Sequence, residues 1–353
     1  MKAMLNINTT DTSGSFTQIM SKTSKVKENY VKLTDLIDDF YWGGMVLYHN
    51  QIHLFGGGSE YKRHDVWDGT SWTRVDNLPY DIYENKAIVY NDEIHLLGNF
   101  SMQNPVNHYK WNGESWISVG TLPYAFIDAP AIIYNNEIHI LGSSHDSATS
   151  SKHYKYDGSA WTSASTLPYP LYGGAAVVYN DEIHVLGCTS NEHGTKHYKF
   201  NGSNWTSVST LPYNFNYGSA VVYNDEIHIF AGEKDKRKHF VFNPENNTWV
   251  NKPPIPYAFS YGSLVSDGEK LYLAGAISDV RQDSKNFYTF YESQDISFCL
   301  PKDTELIAVK SSYLEASNLS ETESGYKVTE TGKVTMTGNI VSPDFGLLTI
   351  IGS

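Results

Sequence analysis

Ten histidines recur at two fixed places in this chain: His53, His95, His139, His184 and His228, then His64, His108, His153, His197 and His239. Imidazoles in series could bind metal or carry protons near pH 6. A metal site needs ligands that converge, and equivalent residues of a repeat are held apart by the rotation between copies. No carboxylate recurs beside them to complete a ligand set. The series therefore reads as a repeated structural hydrogen bond, with charging near pH 6 and acid sensitivity as the expected consequence. The two cysteines, Cys188 and Cys299, form no disulfide framework and no metal-type spacing. No Ser/His/Asp signature, phosphate loop or paired-acid motif is present. No catalytic residue, metal or cofactor is expected.

Tyrosine is the other abundant chemical group, with 26 copies. Leu-Pro-Tyr starts at Leu78, Leu122, Leu167 and Leu211, and returns as Ile255-Pro256-Tyr257. The first Tyr of each copy is expected to pack one repeat on the next. The aromatics that follow are candidates for a binding face: Tyr83, Phe126, Tyr172, Phe215, Tyr217, Phe259 and Tyr261. Tyr offers a flat apolar surface with a polar tip and loses little side-chain entropy, which suits sugars or protein loops.

The elements that must position these groups are short strands. Trp72, Trp116, Trp161, Trp205 and Trp249 recur at steps of 44, 45, 44 and 44 residues. Within one period, Ala175–Tyr179 reads as a strand, Asn180-Asp181 as a tight turn, and Glu182–Leu186 as a second strand. A variable loop follows, then His197–Phe200, the turn Asn201-Gly202 and Trp205–Ser209. Four short antiparallel strands in about 44 residues make one propeller blade. Six Ile-His-type strands, the last diverged to Leu271-Tyr272, predict an all-β, six-bladed β-propeller. The loop after the second strand varies from copy to copy and shares a face with the aromatic linkers, as a binding face on a rigid scaffold would.

This pattern resembles kelch repeats over roughly residues 26–300, through the strand ending in Gly, the aromatic-Asp/Asn-Gly turn and the Trp of the fourth strand. The double Gly of that family survives only at Gly56-Gly57-Gly58 and is single at Gly98, Gly142, Gly187, Gly232 and Gly275. Residues 26–36 look like an orphan fourth strand, because Tyr30 precedes Leu36 as Trp161 precedes Leu167, and Gly43-Gly44 then matches Gly173-Gly174. This strand is expected to complete the sixth blade beside Phe287–Phe290 and so remove the open edges. Alternatively, Asp295–Leu300 supplies that strand. Residues 1–25 read as a polar arm. Residues 301–353 read as a small β-rich domain or extension whose apolar end, Leu347–Ser353, is a candidate oligomer contact.

Net charge is −13 and no extended basic face is evident, which argues against nucleic acid. Lys234–Lys238 is taken as a solvated loop. The N-terminus has no apolar signal region and no run is long enough to span a membrane, so a soluble chain made in the cytoplasm is expected, without membrane insertion. A sialidase reading fails on Asp157-Gly158, which are adjacent where the Asp-box separates them, and on only four arginines: Arg63, Arg74, Arg237 and Arg281. A copper-oxidase reading has only Cys188 near His184 and His193. The near-identical units resemble kelch-like tail-associated proteins of bacteriophages, or related contractile particles, of Gram-positive hosts. That resemblance implies a non-enzymatic virion or tail structural protein. It would join other particle proteins through its two ends, form homo-oligomers, and bind host surface polysaccharide. An intracellular kelch scaffold for a protein partner is the alternative, and a propeller enzyme the third.

Overall fold

The computed structural model describes residues 24–75, 77–98, 106–144, 146–232, 234–277 and 281–300, and the segments 305–307, 314–315, 319–322, 325–329, 332–339 and 349–351. Most of the polar arm and parts of the C-terminal segment, including 340–348 and 352–353, lie outside the described residues. The chain divides into two compact units, a large one over Tyr30–Asp267 and Leu271–Thr289, and a second comprising Met1–Asn29, Gly268–Lys270 and Phe290–Ser353.

The large unit is a six-bladed propeller. Blade 1 holds Gly44–Tyr48, Gln51–Phe55, His64–Trp67 and Trp72–Arg74, and blade 2 holds Lys86–Tyr90, Glu93–Leu97, Asn107–Trp111 and Trp116–Thr121. Blade 3 holds Ala131–Tyr134, Glu137–Leu141, His153–Tyr156 and Trp161–Ser163, and blade 4 holds Ala175–Tyr179, Glu182–Leu186, Lys196–Phe200 and Trp205–Thr210. Blade 5 holds Ser219–Tyr223, Glu226–Phe230, His239–Asn243 and Thr248–Asn251. Each is an antiparallel meander in sequence order. The first hairpins turn on paired left-handed residues, such as Asn180 (φ 50°) and Asp181 (φ 58°), which matches the right-handed twist of the strands. In the second hairpins a side-chain oxygen caps the turn. Asp157 Oδ1, for example, accepts from the N–H of Ser159 at 2.8 Å and of Ala160 at 2.9 Å.

Blade 6 comprises Ser263–Ser266, Leu271–Ala274 and Phe287–Leu300, and the N-terminal strand Ser24–Lys32 pairs with the last of these. The chain ends thus close the ring, as the Tyr30/Leu36 spacing predicts. Asp295–Leu300 does not supply the fourth strand; it continues the third. Tyr30 takes the place of the missing Trp. Trp116, Trp161, Trp205 and Trp249 each lie against a histidine of the preceding blade, and Tyr30 lies against His239 of blade 5, its hydroxyl 2.9 Å from Nδ1. Gly43-Gly44, however, is one residue out of the predicted alignment. Gly43 corresponds to Gly174, and Trp42 to Gly173.

One contact recurs at five of the six seams and a second at all six. The Leu-Pro-Tyr hydroxyl donates to a carbonyl of the following blade: Tyr124 to Gly142 at 2.9 Å, Tyr213 to Ala231 at 2.6 Å and Tyr257 to Gly275 at 3.3 Å. The first Tyr of each copy is therefore a blade-to-blade staple. The apolar residue two positions on packs beneath the ring, at Phe40, Ile82, Phe126, Leu171, Phe215 and Phe259, all buried.

The two histidine series meet inside each of blades 1 to 5. Nδ1 of His53, His95, His139, His184 and His228 lies 2.8–2.9 Å from Nε2 of His64, His108, His153, His197 and His239 respectively. One ring must donate and the other accept. Burial pushes His53, His95, His139 and His184 down to about 4, and His64, His108, His153, His197 and His228 to about 3. The folded protein therefore does not charge these residues near pH 6, because burial strips a charged imidazole of the water that would solvate it.

In the second unit, Gly332–Asn339 pairs antiparallel with Ser293–Leu300 and also with Leu314–Glu315. A separate four-stranded sheet is formed by Leu319–Thr322, Gly325–Val328, Glu305–Ile307 and Thr349–Ile351. Among the described residues no helix is long and apolar enough to cross a membrane.

Candidate functional site at the channel mouth

Where each linker enters a first strand, one residue per blade joins a closed ring of backbone hydrogen bonds around the axis. Trp42 N–H donates to Tyr261 O (3.0 Å), Glu84 to Trp42 (2.7 Å) and Asp128 to Glu84 (3.3 Å); Gly173 donates to Asp128 (2.8 Å), Tyr217 to Gly173 (2.6 Å) and Tyr261 to Tyr217 (3.0 Å). All six have left-handed backbone, with φ between 49° and 62°. Five are not glycine, so each holds a conformation that costs on the order of 1 kcal/mol. The tangential hydrogen bond accounts for the conformation, and the conformation aims the side chain at the channel.

The ring surrounds a cavity of about 220 Å³ lined by all six blades. In most blades the ring residue is aromatic or glycine and the next two are small: Trp42-Gly-Gly, Gly173-Gly-Ala, Tyr217-Gly-Ser and Tyr261-Gly-Ser. Those glycines have a packing reason, since a Cβ on Gly43, Gly218 or Gly262 would strike the ring of Phe40, Phe215 or Phe259. Blade 2 departs from this pattern at all three positions with Glu84-Asn85-Lys86, and has the smaller Ile82 beneath. Blade 3 adds Asp128.

Polar groups thus concentrate on one side of the cavity. Tyr217 hydrogen-bonds to Asp128, whose carboxyl is pushed up to about 7, first by burial and then by the charge of Glu84, against the opposing pull of Lys86. Burial raises Glu84 and lowers Lys86. Asn85 is 2% exposed, and neither its Oδ1 nor its Nδ2 has a hydrogen-bond partner in the protein. A buried amide left unsatisfied costs about 1–3 kcal/mol per group, so this one is suited to a guest in the cavity. Across the cavity stand Tyr217 and Tyr261, ring centroids 4.4 Å apart, with Trp42 5.0 Å from Tyr261.

The sequence-predicted face divides into three groups. Tyr217 and Tyr261 line the cavity. Tyr83 is half-buried and one ring removed, against Trp42 at 4.8 Å; Tyr172 is half-buried and outside the lining. Phe126, Phe215 and Phe259 are 1%, 0% and 1% exposed. They are core residues and offer no surface to a ligand, a correction that follows from their place beneath the ring. Sequence reasoning missed Glu84, Asn85, Lys86, Asp128 and Trp42. The available signal was the triplet four to six residues after each Leu-Pro-Tyr tyrosine, which reads x-Gly-small in three of five copies and Glu-Asn-Lys in one. Among the described residues no three of His, Cys, Asp and Glu gather in metal-binding geometry.

Fold and channel together define a six-bladed β-propeller with a polar site on its axis. Among solved structures it is similar to the one described as "Structure of YjhT", with a TM-score of 0.59 and 13% identity over 77% of this chain and 97% of that one. At that identity the likeness shows the fold alone. No family model and no curated protein matches the chain.

Proposed function

We propose that the chain is a non-enzymatic recognition component of a bacteriophage tail or tail-like particle, and that its propeller binds a surface glycan at the channel mouth. The observation that carries this reading is Glu84-Asn85-Lys86, which places three polar side chains where four of the other blades have an aromatic residue or glycine followed by two small residues. Sugar hydroxyls both donate and accept, which an amide, two carboxyl groups and an ammonium group match. Trp42, Tyr217 and Tyr261 supply apolar faces for the sugar's C–H surfaces. The terminal segments would fix the protein to particle partners or to further copies of itself.

Saturation-transfer NMR with isolated wall polysaccharide of Gram-positive cells and its oligosaccharide fragments tests this. Asn85→Gly with Lys86→Ser gives blade 2 the residues of blades 5 and 6, and is expected to keep the fold and weaken binding at least tenfold. Equal binding by that variant would remove the channel from the reading, and no binding to any surface polysaccharide would end it. A second reading, proton-transfer catalysis on the bound sugar, is favoured by Asp128 near 7 beside Tyr217 and a depressed Lys86. New substrate resonances growing in with time in the same samples would select it.

A further inference from the structure

The six residues of the hydrogen-bonded ring share an electrostatic sign. In chain order they are Trp42, Glu84, Asp128, Gly173, Tyr217 and Tyr261. Two carry carboxyl groups, three carry electron-rich rings, one has no side chain, and none is basic. The acids stand on neighbouring blades 2 and 3, and the aromatics on the consecutive blades 5, 6 and 1. Such rings attract cations. The six backbone N–H groups are all spent within the ring, so no cluster of amides is left to hold an anion. Among the described residues Lys86 is the only basic side chain of the cavity lining. Its charge acts on both Glu84 and Asp128, and it can balance only one of them.

From this excess of carboxyl over ammonium we propose that the guest at the channel mouth presents a protonated amine, so that the glycan recognised there is one with free amino groups. The inference rests on the glycan reading of the same cavity and adds its chemical class. A primary ammonium has three N–H donors. The carboxyls of Glu84 and Asp128 accept two of them, and Asn85 Oδ1, a buried acceptor without a partner in the protein, accepts the third. Asn85 Nδ2 then needs an acceptor, which a hydroxyl beside the amine supplies. Burial first, and then the charge of Glu84, hold the Asp128 proton up to about 7. A bound ammonium takes the place of that proton, which leaves to solvent. An N-acetylated sugar brings no charge and leaves the second carboxyl unbalanced. A quaternary ammonium has no N–H to offer Asn85. A guanidinium grips best on both oxygens of one carboxylate, and Tyr217 already engages Asp128.

The test is isothermal titration calorimetry of the full chain at pH 7 with isolated wall polysaccharide of Gram-positive cells, before and after its amines are blocked with aqueous acetic anhydride. Acetylation keeps the sugar backbone and removes the charge, and is expected to weaken binding at least tenfold. Glu84→Gln with Asp128→Asn keeps the shape of both side chains and removes both charges, so that variant should bind native and acetylated polymer alike. Oligolysine, which carries amines without sugar, should bind at least tenfold more weakly than the native polymer. Undiminished binding after acetylation overturns the proposal and leaves the glycan reading standing. No binding of the native polymer ends both. A preference for free amines that survives in the double variant also overturns the proposal, as does oligolysine binding as tight as that of the polymer.

Discussion

Acid should unfold the propeller well above the pH at which carboxylates titrate. In the folded state nine of the ten paired histidines are held at about 3 or 4, and His239 is also pushed well down. In the unfolded chain they return to about 6.5. Because the folded values are depressed, the unfolded state binds more protons as pH falls through 6.5. Stability is then fully present above that value and is lost on the way down towards 4. Each histidine contributes about 1.4 kcal/mol per pH unit, so ten of them nominally remove about 20 kcal/mol between pH 6.5 and 5. Halving this for residual contacts in the unfolded chain still leaves about 10 kcal/mol, the size of a domain's whole net stability. Urea midpoints from tryptophan fluorescence should be flat from pH 8 to 7, fall steeply below 6.5, and reach zero between pH 6 and 5. A midpoint unchanged from pH 7 to pH 5 would refute the reasoning, since buried neutral pairs cannot coexist with a flat profile.

Three further outcomes follow from individual contacts. Asp128→Asn should stabilise the propeller at pH 8 by about 2 kcal/mol, half of the roughly 4 kcal/mol that raising a carboxyl by three units would cost if water were fully excluded. Raised above its unfolded value, Asp128 costs stability progressively as pH rises from about 4 to 7, so the gain should shrink by about a third in thermal melts at pH 6, where the fold persists. Gly142→Ala, where a Cβ would collide with the Leu171 carbonyl, should cost about 3 kcal/mol or more, while Gly113→Ala, equally left-handed but with open space around it, should cost about 1. Tyr213→Phe removes a 2.6 Å staple and leaves the Ala231 carbonyl without that donor, so chemical denaturation should register a loss of about 1–2 kcal/mol.

The fold was legible because the repeat states its own rules several times over. A turn such as Asn91-Asp92 or Asn180-Asp181 carries local backbone information that no distant contact need supply. The ring closure was legible for the same reason, since Tyr30 and Leu36 keep the spacing of Trp161 and Leu167. The channel was less so. Whether an aromatic two, three or four residues beyond Leu-Pro-Tyr points into core, flank or cavity depends on how the linker crosses to the next blade, and the left-handed ring residue decides it. That conformation is normally announced by glycine, and here only Gly173 announces it; Trp42, Glu84, Asp128, Tyr217 and Tyr261 adopt it because the neighbouring blade supplies a hydrogen bond. A tertiary contact of this kind leaves no local trace.

Divergence between blades then separates scaffold from site with a physical criterion. A position that is glycine because a Cβ would strike a phenylalanine ring takes no more than a methyl while a ring stays beneath it, as at Ala129 with Phe126. At Asn85 the ring is gone, replaced by Ile82, and the relaxed constraint has been filled with a buried amide that the protein itself does not satisfy. Drift alone has no reason to follow the loss of a packing constraint with an unsatisfied polar group, still less to flank it with Glu84 and Lys86 and set Asp128 on the next blade. The same criterion distinguishes Lys252 from an ordinary surface lysine. It replaces Val or Ala at a position tied to the histidine strand, and its charge further depresses His228 and His239 of its own blade. Blade 5 thus carries a cation where it opposes protonation of the local histidine pair.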